Sequence, residues 1–133
     1  MNRKAINTVI AMMSMIFFTM GTASAANDPS ISGDTRSKVN SAMSELINRN
    51  TVKGVYSHFD PVKGVLHDLE LVKLHDGIVK KGNYYVSCAD FRTSKGKLVD
   101  IDFLVLENDG NFVATQAVVH KADNKKRKYH LEN

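Results

Sequence analysis

The chain has a single cysteine, Cys88, in 133 residues, so no internal disulfide can brace it and its stability must come from a buried core. Tryptophan is absent and proline occurs only twice, which excludes a proline-rich linker. Neither sign of charge dominates. Eighteen Lys and Arg stand against 14 Asp and Glu, and a net of +4 does not call for a nucleic-acid partner. No phosphate-cradling glycine loop and no Gly-x-Ser-x-Gly elbow is present, and turns account for Gly54, Gly64, Gly77, Gly82, Gly96 and Gly110. No Cys-x-x-Cys or His-x-x-x-His spacing marks a metal motif, and no cofactor is expected.

Only one stretch is apolar over any length, Ala5 to Met20, and its flanks explain it. Arg3 and Lys4 precede it; Gly21 and the small residues Ala23-Ser24-Ala25 follow. A basic start, an apolar run and a small-x-small site in that order are those of a cleavable secretory signal, cut after Ala25. A permanent span needs about 20 consecutive apolar residues, and Asn7, Thr8, Ser14 and Thr19 interrupt this run. The expected localisation is therefore export, to the periplasm or the outside of a bacterial cell, with no membrane span after cleavage. Losing the first 25 of 133 residues leaves 108, one domain's worth, and losing Arg3 and Lys4 lowers the net charge from +4 to +2.

Residues 26–33 are small and polar around Pro29 and are expected to form a flexible leader. From Asp34 to Arg49, the spacing of Val39, Ala42, Met43, Leu46 and Ile47 predicts an amphipathic helix, with Ser32 or Asp34 able to cap it. Beyond it the pattern changes to strands separated by turn signals: Val52 to Phe59, Val65 to His75, Tyr84 to Thr93, Lys97 to Glu107 and Phe112 to Lys121. Short connections imply an antiparallel meander. The fold class is thus α+β, one helix on a curled sheet of four to five strands spanning 34–121. Residues 122–133 are a basic C-terminal tail, in which Lys125, Lys126, Arg127 and Lys128 face a lone Asp123.

Three-residue loops at Ser94-Lys95-Gly96 and Asn108-Asp109-Gly110 place Tyr85, Ser87, Ala89 and Phe91 beside Val99, Ile101, Phe103 and Val105, with Val113, Thr115, Ala117 and Val119 completing a core face. The opposite face then carries Tyr84, Val86, Cys88 and Asp90, then Leu98, Asp100, Asp102, Leu104 and Leu106, then Phe112, Ala114, Gln116, Val118 and His120. On it Cys88 faces Asp102, Asp90 faces Asp100, and Gln116 flanks Asp102. This face is acidic at one end and apolar at the other.

A helix laid on such a meander, from Val55-Tyr56 through Val119, resembles the cystatin-like and NTF2-like group of small α+β domains. The resemblance implies a sheet face suited to binding or dimerisation; the Gln-x-Val-x-Gly hairpin of protease-inhibiting cystatins is missing. The expected function is an exported, non-catalytic binding or assembly module. Its face of Tyr84, Val86, Cys88, Asp90, Asp100, Asp102, Leu104, Leu106, Phe112 and Gln116 would take a second copy, a protein partner or a small ligand. The alternative is a metal- or thiol-dependent protein centred on Cys88 and its neighbouring aspartates. His67, His75, Cys88, Asp90, Asp100, Asp102, His120 and His130 are all metal-ligand types. His67 and His75 would lie roughly 26 Å apart on a straight strand and cannot share an ion. Carboxylates beside Cys88 would raise its pKa and argue against a reactive thiolate.

Overall fold

A computed structural model describes residues 26–132; the stretch expected to be a signal, with the expected cleavage residues Ala23 and Ala25, lies outside them. Helix α1 (Gly33–Arg49) begins where Ser32 accepts a hydrogen bond from the Thr35 amide, satisfying one orphan donor of the first turn. Its apolar stripe of Val39, Ala42, Met43 and Ile47 is buried. Seven strands follow: β1 (Thr51–Val52), β2 (Val55–Asp60), β3 (Val65–Lys81), β4 (Tyr84–Thr93), β5 (Leu98–Asn108), β6 (Asn111–Ala122) and β7 (Lys125–Lys126). They form one sheet in sequence order, every neighbouring pair antiparallel. Its edge strands do not pair with each other, so the sheet is an open one of seven strands in place of the curled sheet of four to five.

The additions have local causes. Lys53 and Gly54 both adopt positive φ, which turns the first expected strand into a tight hairpin of β1 and β2. The Asp76-Gly77 pair, expected to begin a connection, instead lies inside β3, which continues to Lys81 through irregular pairing between Leu74 and Ile78. The leader is tied down as well: the Asp28 amide donates to the Ile78 carbonyl, and Arg36 of α1 bonds the Asp28 and Ile31 carbonyls.

The core lies between α1 and the sheet. Phe91, Ile101, Phe103 and Val105 are completely buried there with Val39 and Met43 of the helix. Burying a side chain of this size contributes roughly 1.5–3 kcal/mol. Strands β4 and β5 pair in the expected register, Cys88 with Asp102 and Asp90 with Asp100.

The β5–β6 turn departs from expectation. It is the two-residue Asp109-Gly110 form, both residues at positive φ, with Asn108 paired to Asn111. Phe112 and Ala114 therefore join the core side, Phe112 packing 5.7 Å from the Tyr85 ring, while Val113 is exposed. Left uncorrected, this parity would drive Gln116 inward. A bulge prevents that: Val105 pairs with Ala114 and Leu104 with Gln116, leaving Thr115 as an extra residue. Ala117 and Val119 then return to the core side. Deleting Thr115 should be tolerated, with a melting temperature within about 5 °C of wild type. Deleting Val113 should unfold the chain, because Phe112 would swing outward; thermal denaturation of the two variants compares them.

Candidate metal centre

The β4–β5 pair supplies the floor of the site. Cys88 and Asp102, opposite each other, are 1% and 0% exposed. Two histidines reach them from the neighbouring strands, each at a break in the ladder. His75 sits where three residues of β3 oppose the single Cys88 of β4. This irregular segment is held on several sides: Ser87 Oγ donates to the Gly77 carbonyl at 2.8 Å, Arg36 to the Asp76 carbonyl at 3.1 Å, and the Ile78 amide to Asn27 Oδ1 at 3.3 Å. On the other flank Ile101 pairs with Val119 and Asp100 with Lys121, so His120 is the extra residue of a second bulge. Bulges commonly re-aim a side chain beside a functional site, and here both do so toward the same floor.

The C-terminal segment closes the arrangement. It does not extend as a free basic tail. The Arg127 amide bonds the His120 carbonyl, the Arg127 guanidinium lies 2.7 Å from Asp60 Oδ2, and the Leu131 amide donates to Asp102 Oδ2 at 2.8 Å. His130 stacks on His120 with ring centroids 4.3 Å apart and planes 2° from parallel. Glu132 comes within 3.7 Å of Cys88 Sγ.

Around the thiol, His75 Nδ1 is 2.9 Å from Cys88 Sγ and His75 Nε2 is 3.0 Å from Asp90 Oδ2. Burial pushes the Cys88 thiol strongly up, and Asp100, Glu132 and Asp102 add to the rise. A protonated thiol donates to Nδ1 in the His75 tautomer that carries its proton on Nε2, and that same tautomer lets Nε2–H donate to Asp90. Asp100 is raised to about 6, chiefly by burial, with His120 and His75 opposing the rise and Asp102 and Asp90 reinforcing it. Its Oδ1 is buried without a hydrogen-bond partner. His120 Nδ1 lies 2.8 Å from Asp102 Oδ1. His130, 6% exposed, has Nδ1 unpartnered and its pKa lowered, first by burial and then by His120.

Among the described residues three donor sets result, in each of which one ligand atom per residue lies within 4.8 Å of the others: His75, Cys88 and Asp100; Asp102, His120 and His130; Cys88, Asp102 and Glu132. Ligands of one tetrahedral zinc ion stand roughly 3.3–3.8 Å apart, given Zn–N near 2.1 Å and Zn–S near 2.3 Å. Each set thus gathers ligand-type atoms at a spacing that could hold a metal ion. The sets border an open cavity of about 1080 Å³ whose wall includes His75, Cys88, Asp90, Asp100, His120 and Glu132.

Of the residues singled out from sequence, Cys88, Asp90, Asp100 and Asp102 converge here. Val86 is buried at 1% on the same face, Tyr84 and Leu104 are half-buried and Leu106 is exposed, so the apolar end offers little continuous surface. Gln116 pairs with Leu104 and is exposed; Val118 takes the place beside Asp102. Phe112 belongs to the core side. Glu132 was not anticipated, and the convergence of His75, His120 and His130 was hidden because alternation assumes unbroken strands. The Asp76-Gly77 pair directly after His75 is a signal that could have been read as a bulge.

Comparison with family models, with characterised proteins and with solved structures returned no match to this chain.

Proposed function

We propose that this chain is an exported, non-catalytic binding protein whose sheet-face cavity takes a borderline divalent transition-metal ion of the zinc(II) class. The observation that carries the reading is the His75–Cys88–Asp100 set, in which an imidazole nitrogen, a sulfur and a carboxylate oxygen lie within 4.8 Å of one another, on a carboxylate whose Oδ1 is buried without a partner. Mixed N, S and O donors suit zinc and its neighbours. A second argument is electrostatic. Cys88 is hemmed in by carboxylates that resist its ionisation, and a cation is what reverses that balance. The Asp90–His75 contact supports the same reading, since a carboxylate that fixes the tautomer of a ligating imidazole is the usual outer partner of such ions. Export rests on the basic, apolar and small-residue order of the first 25 residues. The helix-on-meander architecture, similar to cystatin-like domains, fits a binding role.

The order Asp90, His75, Cys88 also resembles an activated-thiol triad. The carboxylates around the sulfur oppose that role, because nucleophilic thiolates sit in electropositive surroundings. Alkylation by iodoacetamide at pH 7 separates the two: negligible labelling accords with metal binding, and rapid labelling would favour the thiol enzyme.

Zinc titration of the mature protein should give saturable binding and release protons, because the thiol must ionise on coordination. Calorimetry in two buffers of different ionisation enthalpy reads that release. Affinity should fall as the pH drops through about 6, where Asp100 takes up its proton. Binding that is absent, or independent of pH between about 5 and 8, would reject the reading.

A further inference from the structure

We infer that this site is built for two metal ions, the second held by Asp102, His120 and His130 and joined to the first through the carboxylate of Glu132. The inference rests on the metal reading of the His75–Cys88–Asp100 set and extends it.

The argument begins with the stacked imidazoles. His120 and His130 lie parallel, with both Nδ1 atoms turned to the same carboxylate: His120 at 2.8 Å from Asp102 Oδ1 and His130 at 3.8 Å from Asp102 Oδ2. Only the first of these is a hydrogen bond. His130 thus leaves a buried ring nitrogen without a partner beside a fully buried carboxylate. Burying a polar atom without a partner is costly, and a cation seated between Asp102 and the two rings gives the His130 nitrogen the partner it lacks.

Glu132 then ties this set to the other one. Its Oε1 is 3.7 Å from Cys88 Sγ and its Oε2 is 3.7 Å from His120 Nδ1, so one oxygen faces each set. Asp100 spans them as well, with Oδ2 at 3.8 Å from His120 Nδ1 and membership of the His75–Cys88 set. Carboxylates with one oxygen toward each ion are the natural bridges of paired sites, whose ions stand about 3.5–4 Å apart. His130 and Glu132 both come from the segment after β7, so loading the second ion also pins that segment to the sheet face.

The experiment is zinc titration of the mature wild-type protein and of His130→Gln, read by native mass spectrometry, with X-ray absorption on the loaded wild type. Two ions on the wild type, one on His130→Gln, and a metal–metal scattering path in the wild type are the expected results. One ion on both proteins, or two on both, would overturn the second site and leave the first reading intact. No ion on the wild type would reject the metal reading itself. Should His130→Gln fail to fold, the scattering path decides: its absence from wild type carrying two ions would refute the bridged pair.

Discussion

Replacing Cys88 with serine is expected to weaken zinc(II) binding by about 100-fold or more, beyond what loss of an outer partner alone costs. Serine is the nearest smaller isostere of the buried cysteine and can still bond His75, so the fold should survive; what it cannot supply is a thiolate. Competition against a chromophoric chelator measures the loss. Cobalt(II) offers a spectroscopic control, because sulfur coordination gives a thiolate-to-metal charge-transfer band in the wild type that Cys88→Ser should lack. Unchanged affinity in Cys88→Ser, or a wild-type cobalt complex without the band, would remove the cysteine from the site and with it the reading built on it.

Replacing Arg127 with alanine is expected to have the largest effect on stability outside the core, about 3 kcal/mol, because it strands a buried carboxylate. Asp60 is 1% exposed and meets the guanidinium at 2.7 Å; its Oδ1 also accepts from the Val62 and Lys63 amides, and His67 Nε2 lies 3.5 Å away. Burial alone would raise the Asp60 pKa, but the bond to Arg127, its charge and the two amides outweigh burial and lower it from 3.8. A lowered carboxylate contributes stability above its ordinary pKa and loses it as the pH falls through the folded value. The wild type should therefore lose stability as the pH drops below 3.8, and Arg127→Ala should show a smaller loss over that range. Thermal melts of both proteins across pH read the two effects together. A melting temperature within a degree or so of wild type would mean that the pair contributes nothing, as for an exposed ion pair.

The register of the middle of the sheet was legible because its determinants are local. Ser94-Lys95-Gly96 sets the turn between β4 and β5, and alternation on both sides agrees with it, so the pairing of Cys88 with Asp102 follows from pattern alone. The β6 strand was not legible in the same way. Asp109-Gly110 is a strong two-residue turn signal, yet alternation along β6 argued against it, since Gln116 and His120 would have turned inward. Both arguments were sound for a regular strand. Tertiary packing reconciled them by inserting Thr115 as a bulge, which keeps Phe112 and Ala114 with the core residues and Gln116 in water.

The site shows the same division. Cys88, Asp90, Asp100 and Asp102 stand on regular stretches of β4 and β5, where a period of two places a side chain on a face. His75 and His120 stand at irregularities of β3 and β6, where that period fails, and His130 and Glu132 belong to a segment with no period at all. Composition and spacing thus determined an α+β architecture without an internal disulfide, its helix, its antiparallel meander and an acidic thiol-bearing face. The tertiary structure alone decided that His75 of β3, His120 of β6 and the pair His130 and Glu132 of the C-terminal segment meet over that face. The physical reason is range: helix and strand periods report on residues within a few positions of each other, whereas bulges and a returning C-terminal segment are chosen by how the whole sheet packs.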